Sequence, residues 1–308
     1  MPAAGEDSLD RLRGYAFAVA YRMLGSVADA EDVVQEGLLR MHQAEEAGER
    51  IESRRAYLST VVTRLSIDEL RSARARREEY FGEWLPEPVV ETAAEPGPAE
   101  HAELADTLSM SFMVLLESLS PEQRAAFLLH DVFDFPYEQI ADVVGKNEPA
   151  TRQLVSRARK AVSARRPRFE ASPEKREELA GRFFAAVFEG EVEDLKEMLA
   201  EDVEMTGDGG GKVPALGRIM QGAAQIASAI GKWGIIGRRS GSSFHRVEIN
   251  GQPGALIVDA EGNPYSAIDL DIRDGKVHAI HAVVNPDKLA HLGRVGDMRR
   301  VIREGVRK

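Results

Sequence analysis

The sequence predicts a multidomain chain in which two all-α helical modules precede an α+β domain. Three observations carry this. Residues 9–80 and 104–166 hold only helical hydrophobic spacing, an acidic stretch punctuated by four prolines separates them, and from about residue 241 the pattern turns to strand alternation between glycine-containing turns. At 308 residues and 43% apolar content, the chain can supply two or three domains with a core each.

The first module ends near residue 81 and opens its second helix at GSVADAEDVVQEGLLRMHQ, where Ser26 and Asp29 have capping-box spacing. On that helix Asp29, Asp32 and Glu36 share one stripe, while Val33, Leu38 and Met41 turn toward a core. By spacing alone, such a stripe is an ordinary soluble face. A basic helix follows: residues 54–77 carry seven arginines against two carboxylates.

Residues 82–103, GEWLPEPVVETAAEPGPAEHAE, have too little hydrophobic periodicity to fold alone and read as a linker. The second module, 104–168, contains Ser120-Pro121-Glu122-Gln123, a helix start with Ser as N-cap and Gln at the reciprocal position. The next helix, PYEQIADVVG, closes on Gly145, and Asn147 is placed to cap EPATRQLVSRARKAV. Helix, tight turn and basic helix is the helix-turn-helix plan, whose second helix meets base edges in the major groove. Thr151, Val155, Ala158 and Val162 form the inward stripe, so Arg152, Gln153, Ser156 and Arg157 face outward with groups suited to bidentate base contacts. Arg159 and Lys160 are better placed for phosphates. The bland alternative is a solvated basic face on a three-helix bundle.

Beyond Pro173 two amphipathic helices occupy residues 174–199, and a meander of SFHRVEIN, GALIVDAE, YSAIDLDIRDG and KVHAIHAVV follows, giving an α+β domain over 174–308. The basic tail GRVGDMRRVIREGVRK reads either as a contact for the acidic linker or DNA, or as a frayed terminus.

Composition narrows the function. With no cysteine there are no disulfides, thiolate metal sites or cysteine nucleophiles, and the seven histidines show no HExxH spacing, so no metal or cofactor is expected. No run of eighteen apolar residues occurs and the first residues are not a basic-then-apolar leader, so the expectation is a cytoplasmic protein with no membrane partner. The net charge of -11 argues against indiscriminate nucleic-acid binding, yet two separate basic helices suggest two footprints on one polyanion.

The order acidic helix, arginine-rich helix, linker, helix-turn-helix resembles bacterial RNA polymerase sigma factors of the extracytoplasmic-function type. DAEDVVQE resembles the motif that grips the clamp helices of the polymerase largest subunit, which assigns polymerase binding to Asp29, Asp32, Gln35 and Glu36. RRAYLSTVVTRLSIDELRS resembles the minus-ten recognition region, and implies promoter DNA contacts for Arg54, Arg55, Tyr57, Arg64, Arg71 and Arg74. The helix-turn-helix, with Arg152, Gln153, Ser156, Arg157, Arg159 and Lys160, then reads the minus-thirty-five element beside the flap of the second-largest subunit.

The C-terminal pattern resembles the SnoaL-like branch of the NTF2-like fold, a cone with a pocket whose small-molecule ligand is unknown. WLPEP, DGGGK and NPDKL resemble one sigma-factor subgroup with this extension, which implies inter-domain regulatory roles for Trp84, Pro86, Asp208, Gly209, Gly210, Gly211, Lys212, Asn285, Pro286, Asp287 and Lys288. Trp84 is the expected apolar anchor of the linker, and Asp208 with Lys212 the expected latch charges.

EMTGDGGGKVPA, residues 204–215, is not a phosphate loop: a Walker motif needs Gly at Thr206 and Ser or Thr at Val213, and Lys212 stands where GxGxxG needs its last glycine. It is expected to be a close-approach loop at the mouth of the cone. An acid/base set of Asp208, Asp269, His278 and His281 is the enzymatic alternative, weakened because His278 and His281 are three apart in a strand and face opposite ways. A polymerase-independent helix-turn-helix regulator that senses a ligand is the other.

Overall fold

The computed structural model describes residues 8–77, 80–91, 107–163 and 172–307. They form two compact units, one of residues 1–79 with 115–166 and one of residues 80–114 with 167–308.

The first unit is helical. Helices α1 (Leu9–Leu24), α2 (Val27–Glu46) and α3 (Arg54–Arg77) pack around Leu12, Ala16, Val34, Leu58 and Val62. Gly37 lets α2 and α3 touch, since a Cβ there would meet a Val62 methyl at 2.9 Å. Ser26 caps α2 by accepting from the Asp29 amide. The second set is α5 (Pro121–Asp131), α6 (Tyr137–Val144) and α7 (Glu148–Ser163); the helix before it, α4 (Met110–Leu116), belongs as far as Val114 to the second unit. Ser120 and Gln123 form the reciprocal capping box, Gly145 ends α6 at φ 66°, and the Asn147 carboxamide accepts from the Ala150 amide. Thr151, Val155, Ala158 and Val162 are buried, as the spacing predicts.

Arg124 joins the two helical sets. Its guanidinium is 2% exposed and donates to the carbonyls of Met23 (2.7 Å) and Leu116 (3.0 Å) and to the Glu117 carboxylate (2.6 Å). Nearby, buried Arg22 has its pKa lowered by burial to about 10 and lies 5.9 Å from the centre of the Phe133 ring, which Tyr15 meets edge-on.

In the second unit α8 (Pro173–Glu189) and α9 (Val192–Met198) are the two expected helices. Seven strands follow the order β1-β4-β5-β6-β7-β2-β3: β1 (Val90–Glu91), β2 (Leu199–Asp208), β3 (Met220–Gln221), β4 (Ser243–Ile249), β5 (Gln252–Val258), β6 (Pro264–Arg273) and β7 (Lys276–Val283). The expected meander is β4 to β7, all antiparallel. Two elements depart from the sequence reading. EMTGD is the end of β2, a strand parallel to β7, rather than loop; and α10 (Ala223–Ser240) crosses between β3 and β4.

Strand alternation gives the sheet two different faces. Phe183, Phe184, Ile226, Ala255, Leu270 and Ile280 belong to the main core, with α8 and α10 on that face. Ala267, Val283 and Ile249 belong to the other face, where a smaller core gathers Leu85, Met110 and Leu289. The tail is not frayed. As α12 (Met298–Arg307) it packs on α10, with Gly305 so close to Ile236 that a Cβ would meet its carbonyl at 2.1 Å, while Arg300 pairs with Asp259 (2.9 Å) and Glu261 (2.6 Å).

Replacing Arg124 with alanine leaves two carbonyls and a carboxylate without their cation, so Arg124→Ala should lower the stability of the helical unit by roughly 3–5 kcal/mol. Urea denaturation followed by circular dichroism measures it; a loss below about 1 kcal/mol would show that Arg124 does not join the sets.

Candidate polymerase, promoter and linker sites

Helix α2 presents the acidic stripe. Asp32 and Gln35 are exposed, Asp29 and Glu36 are half-buried, and Glu36 accepts from Arg40 at 2.7 Å. Leu39 lies beside them at 49% exposure, so the face combines carboxylates with an apolar side chain.

Four arginines of α3 have partners. Arg54 donates to Glu45 (2.7 Å), and Arg55 stacks over the Tyr15 ring at 4.0 Å. Arg64 donates to the Asp142 carbonyl at 2.8 Å and Arg71 to Glu122 at 2.7 Å, so both reach the helix-turn-helix set from the helix that would read the minus-ten element. The Arg71–Glu122 hydrogen bond and charge attraction hold the guanidinium above its usual range and Glu122 below its own. Tyr57 is half-buried, and the side chain of Arg74 falls outside the described residues.

On α7 the sequence-predicted residues divide. Gln153, Ser156 and Arg157 are exposed on one continuous face. Arg152 instead pairs with Glu148 (3.0 Å) and lies 4.1 Å over the Tyr137 ring, and Arg159 forks onto Asp131. Lys160 is exposed.

Family comparison follows this division. A model of Sigma-70 region 2 matches residues 9–76 and one of Sigma-70 region 4 matches residues 109–162. The chain is 40% identical over 289 residues to the ECF RNA polymerase sigma factor SigJ of Mycobacterium tuberculosis, covering 91% of both. It is an extracytoplasmic-function sigma factor. The probable ECF sigma factor SigI of the same organism is 29% identical over 281 residues, covering 90% of this chain and 92% of that one. The crystal structure of the M. tuberculosis SigJ superposes with a TM-score of 0.71 at 36% identity, covering 91% of this chain and 96% of that one. A sigma factor directs core RNA polymerase to promoter DNA, so this one is an initiation factor rather than an enzyme. No helix among the described residues is long and apolar enough to cross a membrane.

The sigma factor's second unit holds the segment between regions 2 and 4. Asp208, wholly buried at the end of β2, accepts from the Leu85 amide (2.9 Å), the Lys288 ammonium (2.7 Å), the Gly210 amide (3.1 Å) and the Tyr80 hydroxyl. Burial first, then the Asp208 carboxylate, raises the Tyr80 pKa and keeps the phenol a donor. Lys288 also donates to the Leu85 carbonyl and sits 4.1 Å over the Trp84 ring, and Asn285 donates to the Tyr80 oxygen at 2.9 Å. Asn285 caps α11 (Pro286–Leu289), which starts at Pro286. Gly210 allows this closeness: at φ 56° a Cβ would meet the Asn285 amide at 2.3 Å. A Cβ at Gly209 would meet the Val213 carbonyl at 2.6 Å, and one at Gly211 the Phe81 Cβ at 3.1 Å.

Two expectations need correction. Leu85 and Pro86 are the buried anchors, while Trp84 is half-buried and serves as the ring over Lys288. Lys212 is not the latch cation for Asp208; it pairs with Asp287 at the surface, and Lys288 takes the buried role because it projects from α11 toward the carboxylate.

Sequence reasoning missed the second half of this dock. After Leu85 the linker becomes strand: β1 pairs with β4, and Asn250 accepts from the Val89 amide (2.9 Å) while donating to the Leu108 carbonyl (3.0 Å). His291 bonds the Pro88 carbonyl at 2.8 Å and Ser111 donates to Asp271 at 2.9 Å. The Asn-Gly turn at 250–251 was a visible signal for a hairpin, but not for this pairing.

The enzymatic set is dispersed. Asp269 and His281 are buried and paired at 3.0 Å, Asp208 holds the linker, and His278 lies 3.9 Å from Asp202. Burial pushes the Asp269 carboxyl up despite His281; burial opposes the His281 cation, yet Asp269 holds that imidazole above its usual range.

Asp208→Asn removes the counter-charge of a buried lysine and should cost the second unit roughly 3 kcal/mol. In a Trp233→Phe background Trp84 is the sole indole, so its fluorescence should report release of the linker at lower urea; an unchanged midpoint would contradict the role of Asp208.

Proposed function

We propose that this sigma factor initiates promoter-specific transcription under restraint from its own C-terminal domain, which holds the linker between regions 2 and 4. The observation that carries the reading is the buried Asp208 carboxylate binding both Leu85 and Lys288. A linker free to extend reaches roughly 3.3–3.6 Å per residue. Pinned at Leu85 and Val90 on one side and at Leu108 and Ser111 on the other, it cannot, and the separation between the two DNA-reading modules is limited. The engagement of Arg64 and Arg71 with the helix-turn-helix set supports restraint rather than assistance, because neither guanidinium can serve that set and a promoter together.

In this reading Asp29, Asp32, Gln35 and Glu36 bind the clamp helices of the polymerase largest subunit, region 4 lies by the flap of the second-largest subunit, and Gln153, Ser156 and Arg157 read bases. Arg152, Arg159 and Lys160 meet phosphates once their local partners yield. The boundaries 1–81, 82–103, 104–168 and 174–308 then separate roles in transcription, although the linker folds with the last of them.

Run-off transcription with core polymerase tests this: Asp208→Asn should raise the yield severalfold at unchanged polymerase affinity, and an equal or lower yield would overturn the restraint. Reversing Asp29 and Asp32 to lysine should abolish polymerase binding without altering the melting temperature; retained binding would reassign that face. Arg157→Ala should weaken specific promoter binding by about 1–3 kcal/mol if it reads a base. A loss seen equally on unrelated DNA would make it a phosphate contact.

A further inference from the structure

One interval of the C-terminal domain is bare of acid. From Gly209 to Val247 the chain has six lysines and arginines and no carboxylate, although the whole protein holds 51 Asp and Glu against 40 Lys and Arg. Helix α10 lies within that interval, and α12, with four arginines in ten residues, packs on it. The two helices cross where Gly305 meets the Ile236 carbonyl. Lys232 and Arg239 stand one turn before and one turn after Ile236, on the same stripe of α10. Arg303 and Arg307 each lie two residues from Gly305, which turns them to the side of α12 away from α10. All four side chains are exposed.

Other cations of the region have acceptors. Lys212 pairs with Asp287, Arg246 with Glu177, and Arg300 with Asp259 and Glu261. The single carboxylate of α12, Glu304, lies in the field of Arg300. Among the described residues, Lys232, Arg239, Arg303 and Arg307 have no such partner. Attraction to the negative end of a helix accounts for Arg239 and Arg307, which lie in last turns, but not for Lys232 and Arg303.

We infer that the outer face of this crossing binds the phosphate backbone of duplex DNA, independently of sequence, as a contact of the C-terminal domain additional to regions 2 and 4. Duplex DNA carries one negative charge per roughly 1.7 Å of axis, and the four cations spread over about 10 Å along α10 and about 6 Å along α12. Three of the four are arginines, whose planar guanidinium matches phosphate oxygens. A bilayer fits less well, because a basic helix lying on lipid needs its apolar face free. That face of α12 is occupied: Val301 and Gly305 are buried, and Met298 joins Trp233 in lining the domain's apolar cavity of about 200 Å³. The contact stands whether or not the C-terminal domain restrains initiation.

The test is a titration of full-length protein into a random-sequence duplex over a range of salt concentrations. The combined variant Lys232→Gln, Arg239→Gln, Arg303→Gln and Arg307→Gln should lower the slope of log affinity against log salt by about 2–4, and weaken binding at least tenfold at about 50 mM salt. Removing the same charge elsewhere on the domain, with Lys175→Gln, Arg182→Gln, Lys196→Gln and Lys276→Gln, should leave the slope within about 0.5 of the parent value. If the combined variant does not fold, the α10 pair and the α12 pair, each neutralised alone, should each lower the slope by about 1–2. Promoter DNA should lose as much affinity as the random duplex, since phosphate contacts carry no sequence information. The inference is overturned if a folded variant keeps the parent slope, if the control variant loses as much, if the loss is confined to promoter DNA, or if the substitutions abolish binding to phosphatidylglycerol vesicles but not to DNA.

Discussion

The second unit depends on one buried carboxylate. A charge at the position of Asp208 would be costly without partners, and the chain surrounds it with two amides, a phenol and an ammonium. Those donors come from three places far apart in sequence: the segment after region 2, the glycine turn and α11. Each of the three motifs WLPEP, DGGGK and NPDKL therefore exists to complete the same coordination. Because satisfied and unsatisfied states of such a site differ by several kcal/mol, the dock is close to all-or-none.

The contacts of Arg64 and Arg71 in the first unit have a different character. Arg64 bonds a main-chain carbonyl and Arg71 a half-exposed glutamate, both at solvent-accessible positions. Surface pairs of this kind contribute little stability and are screened by salt. They are suited to exchange for phosphates, which offer the same guanidinium groups stronger acceptors. The buried Arg124 contacts are the firmer part of that packing.

Much of the architecture was legible because it rests on local rules. The Ser26 cap, the Ser120 capping box, the Gly145 stop and the Thr151–Val162 stripe follow from helix chemistry within a turn or two. The β4–β7 meander follows from alternation and turns. What escaped depends on distant residues. Strand β2 reads LAEDVEMTGD, whose alternation is interrupted by a register shift between Leu199 and Glu204 and whose last carboxylate is buried only because the linker and Lys288 reach it. The choice of Lys288 over Lys212 is likewise geometric: both lie near acidic residues in sequence, and only the fold shows which one points inward. Residues 82–91 lack a periodic apolar face, yet Leu85 needs only a single socket, so periodicity could not reveal that they fold.

Strand β1 and Leu85 also alter what counts as a severable piece of this protein. A fragment beginning at residue 174 would keep most of α8, the cavity and the meander, yet it would expose Ile249, Val283 and Leu289 and strip Asp208 of its Leu85 and Tyr80 donors. It would also present β4 as an unpaired edge, a template for adding another chain's strand. The smallest self-sufficient version of the domain is therefore discontinuous in sequence. A fusion or circular permutant that supplies residues 80–114 beside 172–307 respects its folding better than any single cut.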